Sequence, residues 1–181
     1  MTESGWRVEA PGLAIETLPP TPIHVLRVRV ADQAAVLAAR TLADFRKIGP
    51  NQSGGDAPRL AWMAPGEWTV TGAEPKPAWL KALAKSPSFN DADVSHGRVR
   101  FAISGPRARD LLAKGCSLDF HPRAFGAGRC AKTLFAQVPV LIDQISDAPL
   151  FHLYADISHE AHLSAWLVDA AVEFRFEGNR A

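Results

Sequence analysis

Residues 98–115 read RVRFAISGPRARDLLAKG, and this stretch decides the fold class. In its first half, Val99, Phe101 and Ile103 alternate with polar or small residues at a period of two, which predicts a β-strand with one buried face. Gly105-Pro106 then opens a helix, because proline is favoured near the first helical position. The buried side of that helix is predicted to contain Ala108, Leu111 and Leu112. A strand that leads directly into an amphipathic helix indicates a domain of mixed α and β structure.

The ends of two predicted helices depend on single residues. Gly115 follows Lys114 and is expected to end the first helix in the left-handed conformation that glycine adopts easily. The last helix is expected to begin with Ser158 as its capping residue. Apolar residues then recur at helical spacing, so the predicted buried side comprises Leu163, Trp166, Leu167, Ala170 and Phe174.

Outward from this stretch, strand and helix patterns alternate along the chain. Further strands are predicted near residues 26–30, 60–63, 68–70, 92–95, 130–136, 140–145 and 151–154, and further helices at residues 32–42 and 77–83. We expect the strand near 92–95 to pair with the strand near 98–104. The order favours an α+β fold with a duplicated ferredoxin-like arrangement. Residues 1–22 are expected to form an extended lead-in, and residues 23–176 a single α+β domain, with two interlocked ferredoxin-like subdomains as the alternative.

Composition excludes several classes of function. The 181 residues carry a formal net charge of +1, so neither nucleic acid nor an anionic membrane is an expected partner. No apolar run approaches the length of about 20 residues that a membrane helix needs. The two cysteines, Cys116 and Cys130, do not form a CxxC pair, and neither a disulfide framework nor a zinc site is expected. The N-terminus shows no secretory leader pattern, so a cytoplasmic location is expected.

Three motifs that suggest catalysis have simpler interpretations. Residues 126–133 nearly match a phosphate-binding loop, but Ala131 replaces its second glycine and the next residues have a strand pattern. His159 and His162 share a helix but lack a metal-ligand set, which favours a solvated helix face. His24 and His152 lie in predicted strands and are expected to be structural.

Two polar segments are the candidate site. The loop after the 98–115 stretch combines cations, an aspartate, a histidine and two phenylalanines, and an exposed Phe120, Pro122 and Phe125 beside Arg123 would form a protein-binding edge. A merely solvated loop is an equally good interpretation. The candidate partner-interface residues are Ser95, His96, Arg98, Asp119, Phe120, His121, Pro122, Arg123 and Phe125. No catalytic, cofactor-binding or metal-binding residue is predicted on this chain.

Three segments resemble the gamma subunit of heterotetrameric sarcosine oxidase: residues 93–125, the WMAPGEW of residues 62–68 and the WLVDAAVEF of residues 166–174. The resemblance implies a cytoplasmic complex that oxidatively demethylates sarcosine and passes the one-carbon unit to tetrahydrofolate. It also implies that larger alpha and beta subunits hold FAD, FMN, NAD and tetrahydrofolate, beside a small delta subunit. The gamma chain would then be a non-catalytic assembly subunit without a cofactor of its own, which could form a homodimer when isolated.

The same family is similar in fold to the folate-binding domain of glycine-cleavage aminomethyltransferases. Those enzymes place carboxylates against folate, whereas here only Asp143 or Asp147 could be proposed as relics, and neither lies in the expected context. Two alternatives stay open: a stand-alone folate-binding aminomethyltransferase-like protein, and a generic protein-interaction domain. For the latter, Trp62, Trp68 and Trp79 are the first candidates for an exposed apolar patch.

Overall fold

A computed structural model describes residues 6–29, 31, 48–72 and 88–177 of the chain. The chain divides into two compact units: the first comprises residues 1–20 and 97–181, and the second comprises residues 21–96. The helices predicted at 32–42 and 77–83 lie outside the described residues. Among those that are described, no helix is both long and apolar enough to cross a membrane.

The described residues form eleven strands and two α-helices. The strands are β1 (Arg7–Ala10), β2 (Leu13–Thr17), β3 (Ile23–Val28), β4 (Ser53–Gly54), β5 (Arg59–Ala64), β6 (Glu67–Thr71), β7 (Phe89–Asp93), β8 (Arg98–Ser104), β9 (Cys130–Phe135), β10 (Val138–Ser146) and β11 (Leu150–Asp156). The helices are α1 (Ala108–Gly115) and α2 (Glu160–Glu177), and short 3-10 turns occupy Ser95–Gly97 and Ile157–His159.

The first unit is built on a six-stranded antiparallel sheet in the order β1-β2-β8-β11-β10-β9. Val99, Phe101 and Ile103 of β8 are buried, as their alternation predicts. The predicted apolar side of α1 belongs to the same core, together with four of the five residues predicted for α2: Leu163, Leu167, Ala170 and Phe174. Trp166 is partly buried and packs against that core. Hydrophobic periodicity therefore located this core correctly.

The prediction of an unpacked lead-in over residues 1–22 is wrong for the hairpin formed by β1 and β2. Leu13 and Ile15 are buried, and Ile15 lies opposite Ile103 of β8. The two apolar residues alternate with Ala14 and Glu16, so the pattern has a period of two but spans only five residues. The proline-rich segment that follows strongly indicates irregular structure, whereas a strand of five residues gives only a weak pattern.

The second unit holds a five-stranded antiparallel sheet in the order β4-β5-β6-β3-β7. The predicted hairpin is confirmed, since β5 and β6 flank the turn at Pro65-Gly66. The four longer strands follow the ferredoxin-like order, with the first strand in chain order, β3, between the third and the fourth. Its apolar core consists of Leu26, Val28, Leu60, Trp68 and Val70. The α+β prediction is confirmed.

The predicted pairing of the strands near 92–95 and 98–104 is wrong. Strand β7 pairs with β3 in the sheet of the second unit, whereas β8 pairs with β2 and β11 in the first. The 3-10 turn Ser95–Gly97 separates the two strands. A turn of three residues resembles a hairpin connection in sequence, and only the long-range pairing of each strand distinguishes the two cases.

Both predictions about helix ends need correction. Gly115 is the last residue of α1 and has no positive φ, and the chain continues into an extended Cys116. Its lack of a side chain serves packing, because a Cβ there would lie 2.7 Å from Phe135 Cε2. Ser158 is not the capping residue either. Asp156 caps the 3-10 turn that precedes α2, and its Oδ1 accepts a hydrogen bond from the Ser158 backbone N–H at 3.0 Å.

Candidate partner-binding loop

The loop between α1 and β9, residues 116–129, is fixed to the core by two aromatic rings. Phe120 and Phe125 are only 5% and 6% exposed, and their ring centroids lie 5.6 Å apart in an edge-to-face contact. Both rings contact Phe151 of β11, at centroid distances of 6.1 and 6.4 Å. The prediction that these two phenylalanines are exposed is therefore wrong. The α1–β9 loop folds back over the sheet, where burial of two rings is favourable.

Arg109 of α1 holds the backbone of this loop. Its Nη1 donates hydrogen bonds to the carbonyl oxygens of Phe120 and Phe125, the latter at 2.8 Å. Its Nη2 donates to Oε1 of the buried Gln144 at 3.1 Å, and the guanidinium lies 5.2 Å from the centroid of the Phe151 ring. Sequence reasoning missed Arg109. Its only signal was a cation one residue from Ala108 and two from Leu111, within the apolar stripe of the helix.

The charge on Arg109 is held in a partly buried position. Burial lowers the pKa of Arg109, and the nearby negative charge of Asp147 acts in the opposite direction. An arginine retains its proton under such conditions, since its ordinary pKa lies far above neutrality. The guanidinium is therefore a permanent cation whose donors satisfy carbonyl groups of the loop.

The outer side of the α1–β9 loop is a hydrogen-bonded turn. Asp119 Oδ1 accepts a hydrogen bond from the His121 backbone N–H at 2.8 Å, and the His121 carbonyl accepts from the N–H groups of Ala124 and Phe125. The Arg123 backbone N–H donates to His121 Nδ1 at 3.2 Å. Asp119, His121, Pro122 and Arg123 are all exposed. Inward aromatic rings and outward polar side chains thus share one compact loop.

The last part of the loop is joined to β10. The Gly128 N–H donates to the Gln144 carbonyl, and the Gln144 N–H donates to the Arg129 carbonyl, both at 2.9 Å. The near match to a phosphate-binding loop therefore leads into strand β9, and the predicted turn and strand are confirmed. A phosphate-binding loop requires a helix to begin at this point.

The remaining predicted interface residues are not part of the α1–β9 loop sequence. Ser95 stabilises its own turn, because its Oγ donates to Asp93 Oδ1 at 2.6 Å and accepts from the Ile23 N–H at 2.9 Å. His96 is exposed and, like Ser95, belongs to the second unit. Arg98 belongs to the first unit and pairs with Asp156 at 3.0 Å. The five residue steps from Phe151 to Asp156 along β11 span about 17 Å, so Arg98 is not part of the α1–β9 loop surface.

The histidines fit structural roles. His24 is 1% exposed, and its Nδ1 lies 2.8 Å from Asp91 Oδ1 on the neighbouring strand β7. The sequence offered no nearby partner for His24, because Asp91 is 67 residues away. His162 is exposed near the start of α2, and its Nε2 lies 3.2 Å from the Ala136 carbonyl oxygen.

The tryptophans named for an exposed patch do not form one where they are described. Trp68 is buried in the core of the second unit, Trp62 packs partly buried against it, and Trp79 lies outside the described residues. Among the residues that the structure describes, the large exposed apolar side chains are Leu134, Ile157 and Val172. No two of these three lie on the same strand or helix.

Of the two acidic residues considered as folate-binding relics, Asp143 is 1% exposed and Asp147 is exposed. Asp143 is the only acidic residue that is buried in the described part of the chain. Asp147 Oδ1 accepts a hydrogen bond from the Ala127 N–H at 3.4 Å and so contributes to the conformation of the α1–β9 loop.

Comparison with known proteins gives consistent matches. The family described as "Sarcosine oxidase, gamma subunit family" matches residues 30–173. The chain is 29% identical to "Sarcosine oxidase subunit gamma" of Arthrobacter sp over 147 residues, which cover 80% of this chain and 71% of that one. A solved chain of heterotetrameric sarcosine oxidase from Corynebacterium sp. U-96 superposes with a TM-score of 0.76 at 28% identity, covering 93% of this chain and 88% of that one.

A further solved structure has a similar fold at lower sequence identity. The aminomethyltransferase T of the glycine cleavage system from Bartonella henselae superposes with a TM-score of 0.60 at 16% identity, covering 84% of this chain and 44% of that one. At this identity the likeness shows the fold alone, and it confirms the predicted aminomethyltransferase-like fold. The match over residues 30–173 decides the family, and this chain belongs to the sarcosine oxidase gamma subunit family.

Proposed function

We propose that this chain is an accessory subunit of a sarcosine oxidase-type complex, which oxidatively demethylates sarcosine and passes the one-carbon unit to tetrahydrofolate. One observation carries this proposal: the chain aligns along 93% of its length with a chain of a heterotetrameric sarcosine oxidase. A match of this extent covers both compact units. The relationship therefore concerns both units of this chain and not one of them alone.

In this proposal the chemistry takes place on other subunits of a cytoplasmic complex. The larger alpha and beta subunits hold FAD, FMN, NAD and tetrahydrofolate, a small delta subunit completes the assembly, and this chain contributes to assembly and stability. The two residues considered as folate-binding relics differ in their surroundings. Asp143 is buried, whereas Asp147 is exposed and engaged by the Ala127 N–H.

The exposed part of the α1–β9 loop is the proposed contact with a larger subunit. Asp119, His121, Pro122 and Arg123 project from a backbone that is held by Arg109 and by two buried rings. A surface that is ordered before binding loses less conformational entropy when a partner arrives. Ser95, His96 and Arg98 lie outside this loop, and their role in an interface stays a prediction.

The test is co-purification from the native host. A full-length tagged chain, expressed at its natural level, should purify together with larger subunits that show a flavin absorbance spectrum and that mass spectrometry identifies as sarcosine oxidase subunits. The control is an unrelated protein with the same tag. If the tagged chain purifies without any flavoprotein, the accessory role is wrong.

A second measurement separates assembly from incidental binding. Deleting the gene for this chain should reduce the amount of soluble flavin-containing complex, and re-expression of the chain should restore it. An unchanged yield of active complex in the deletion strain would contradict a role in assembly.

A further inference from the structure

The hydrogen bond between Arg123 and His121 fixes the hydrogen-bonding character of the histidine ring. The Arg123 backbone N–H donates to His121 Nδ1, so Nδ1 acts as an acceptor. In the neutral ring the proton is then on Nε2, which is a donor. His121 is exposed, and Nε2 makes no hydrogen bond among the described residues. This ring therefore offers one N–H group to solvent or to a partner.

The guanidinium of Arg123 is also available. Several arginines of the first unit are paired with carboxylates: Arg7 with Glu9, Arg98 with Asp156 and Arg107 with Asp110. Arg123 is exposed and makes no ion pair within the described part of the chain. Asp119, the acidic residue of the same loop, instead accepts a hydrogen bond from the His121 backbone N–H through Oδ1.

These two donor groups lie two residues apart on a turn of fixed conformation. The His121 carbonyl accepts from the N–H groups of Ala124 and Phe125, and Arg109 holds the carbonyls of Phe120 and Phe125 from beneath. Pro122, between the two donors, has a restricted φ. The planar fork of N–H donors on the guanidinium matches the two oxygens of a carboxylate.

From this juxtaposition, and resting on the proposed function, we propose that the turn at residues 121–123 binds a carboxylate side chain of a larger subunit. Arg123 supplies the guanidinium and His121 supplies the Nε2 proton. Arg109 acts as a positioning residue, since it holds the turn without reaching the partner. The occupant is thus an Asp or Glu of a protein surface.

The experiment measures the affinity of the full-length chain for purified flavin-containing larger subunits. Arg123→Glu should raise the Kd about tenfold or more, because it places two carboxylates against each other. Arg123→Lys should have a smaller effect, since lysine keeps the charge but loses the planar fork. The control is Arg175→Glu on α2, also an exposed arginine, which should leave the Kd within about twofold.

Two substitutions of His121 separate the structure of the turn from recognition. His121→Asn keeps an acceptor near the Nδ1 position but removes the Nε2 donor, so the turn should persist while the Kd rises. His121→Gln retains a donor near the Nε2 position and should bind more tightly than His121→Asn. Each variant is checked for an unchanged unfolding midpoint in denaturant, so that a loss of folding is not counted as a loss of binding.

The outcomes distinguish the two proposals. Wild-type binding that is lost in Arg123→Glu and kept in Arg175→Glu supports a carboxylate site, and wild-type affinity should also fall as salt rises. If the wild-type chain binds the larger subunits and Arg123→Glu binds equally well, the carboxylate site is wrong and the accessory role stands. If the wild-type chain does not bind them, both proposals fail.

Discussion

Phe135 and Trp166 meet edge to face above Gly115, with ring centroids 4.8 Å apart and ring planes at 75°. The contact joins strand β9 to helix α2 at the end of α1. A Cβ on Gly115 would lie 2.7 Å from Phe135 Cε2 and 2.8 Å from Trp166 Cη2. The absence of a side chain at residue 115 thus permits the close approach of three elements of the first unit.

Gly115→Ala should lower the free energy of unfolding. Its φ is not positive, so alanine would otherwise favour the helix, but the added methyl group overpacks the two rings at a cost of about 1–3 kcal/mol. Denaturant unfolding followed by tryptophan fluorescence measures the change. The matched control is Gly97→Ala, where a Cβ would meet no heavy atom within 4 Å. An equal effect of the two substitutions would refute the packing role of Gly115.

Ile15→Ala should destabilise the first unit strongly. Ile15 is fully buried in the β1–β2 hairpin opposite Ile103, and truncation of such a side chain costs about 2–5 kcal/mol. The neighbouring Glu16 has a partly exposed side chain, and Glu16→Ala should cost less than about 1 kcal/mol. Equilibrium unfolding in urea compares the two. A negligible effect of Ile15→Ala would mean that the hairpin does not contribute to the core.

Arg109→Met should loosen the α1–β9 loop. Two loop carbonyls and Gln144 lose their donors, which lowers the free energy of unfolding by about 2–4 kcal/mol. Amide hydrogen exchange should accelerate at Ala124 and Phe125, whose N–H groups bond the His121 carbonyl. Arg129→Met serves as the control, because Arg129 is exposed and its side chain makes no hydrogen bond or ion pair among the described residues. Unchanged exchange in Arg109→Met would show that the aromatic rings alone hold the loop.

The stabilisation that Asp156 gives to the start of α2 should be lost in acid. The backbone N–H of Ser158, followed by the Ser158 hydroxyl and by Arg98, lowers the pKa of Asp156. A carboxyl group with a lowered pKa in the folded state stabilises the protein fully above its ordinary value, and this contribution is lost as the pH falls through the lowered value.

Asp156→Ala should therefore reduce stability at neutral pH, and the difference from wild type should shrink as the pH falls below about 4. Asp156→Asn keeps a capping acceptor without the charge, so its stability at neutral pH should lie between those of wild type and Asp156→Ala. Thermal unfolding over a pH series measures the effect. A difference that grows toward acid pH would contradict the assigned sign.

Residues 98–115 illustrate which elements of the fold a sequence pattern can predict. The alternation in β8 and the apolar stripe of α1 identify a strand and a helix, because a half-buried strand and an amphipathic helix each need a fixed spacing of apolar residues. The same reasoning identified the hairpin of β5 and β6, the three strands β9, β10 and β11, and helix α2. It failed at the β1–β2 hairpin, where five residues gave too short a pattern beside a run of prolines.

The composition of the sequence located the candidate loop, but it did not show which side chains of the loop face the core. Phe120 and Phe125 face the core and Arg123 faces outward, which the order of residues does not decide. Arg109 reaches the Phe125 carbonyl across 16 residues and Gln144 across 35, so no local pattern could assign it.

By itself, the order of amino acids determined most of the strands and both helices of the described residues, because these follow from the spacing of apolar residues along the chain, and its motifs showed which family it resembles. Tertiary structure alone decided which strands pair, why residue 115 lacks a side chain and which way the rings of the α1–β9 loop point. Those outcomes depend on burial and hydrogen bonds between residues distant in sequence, and such contacts exist only once the chain has folded.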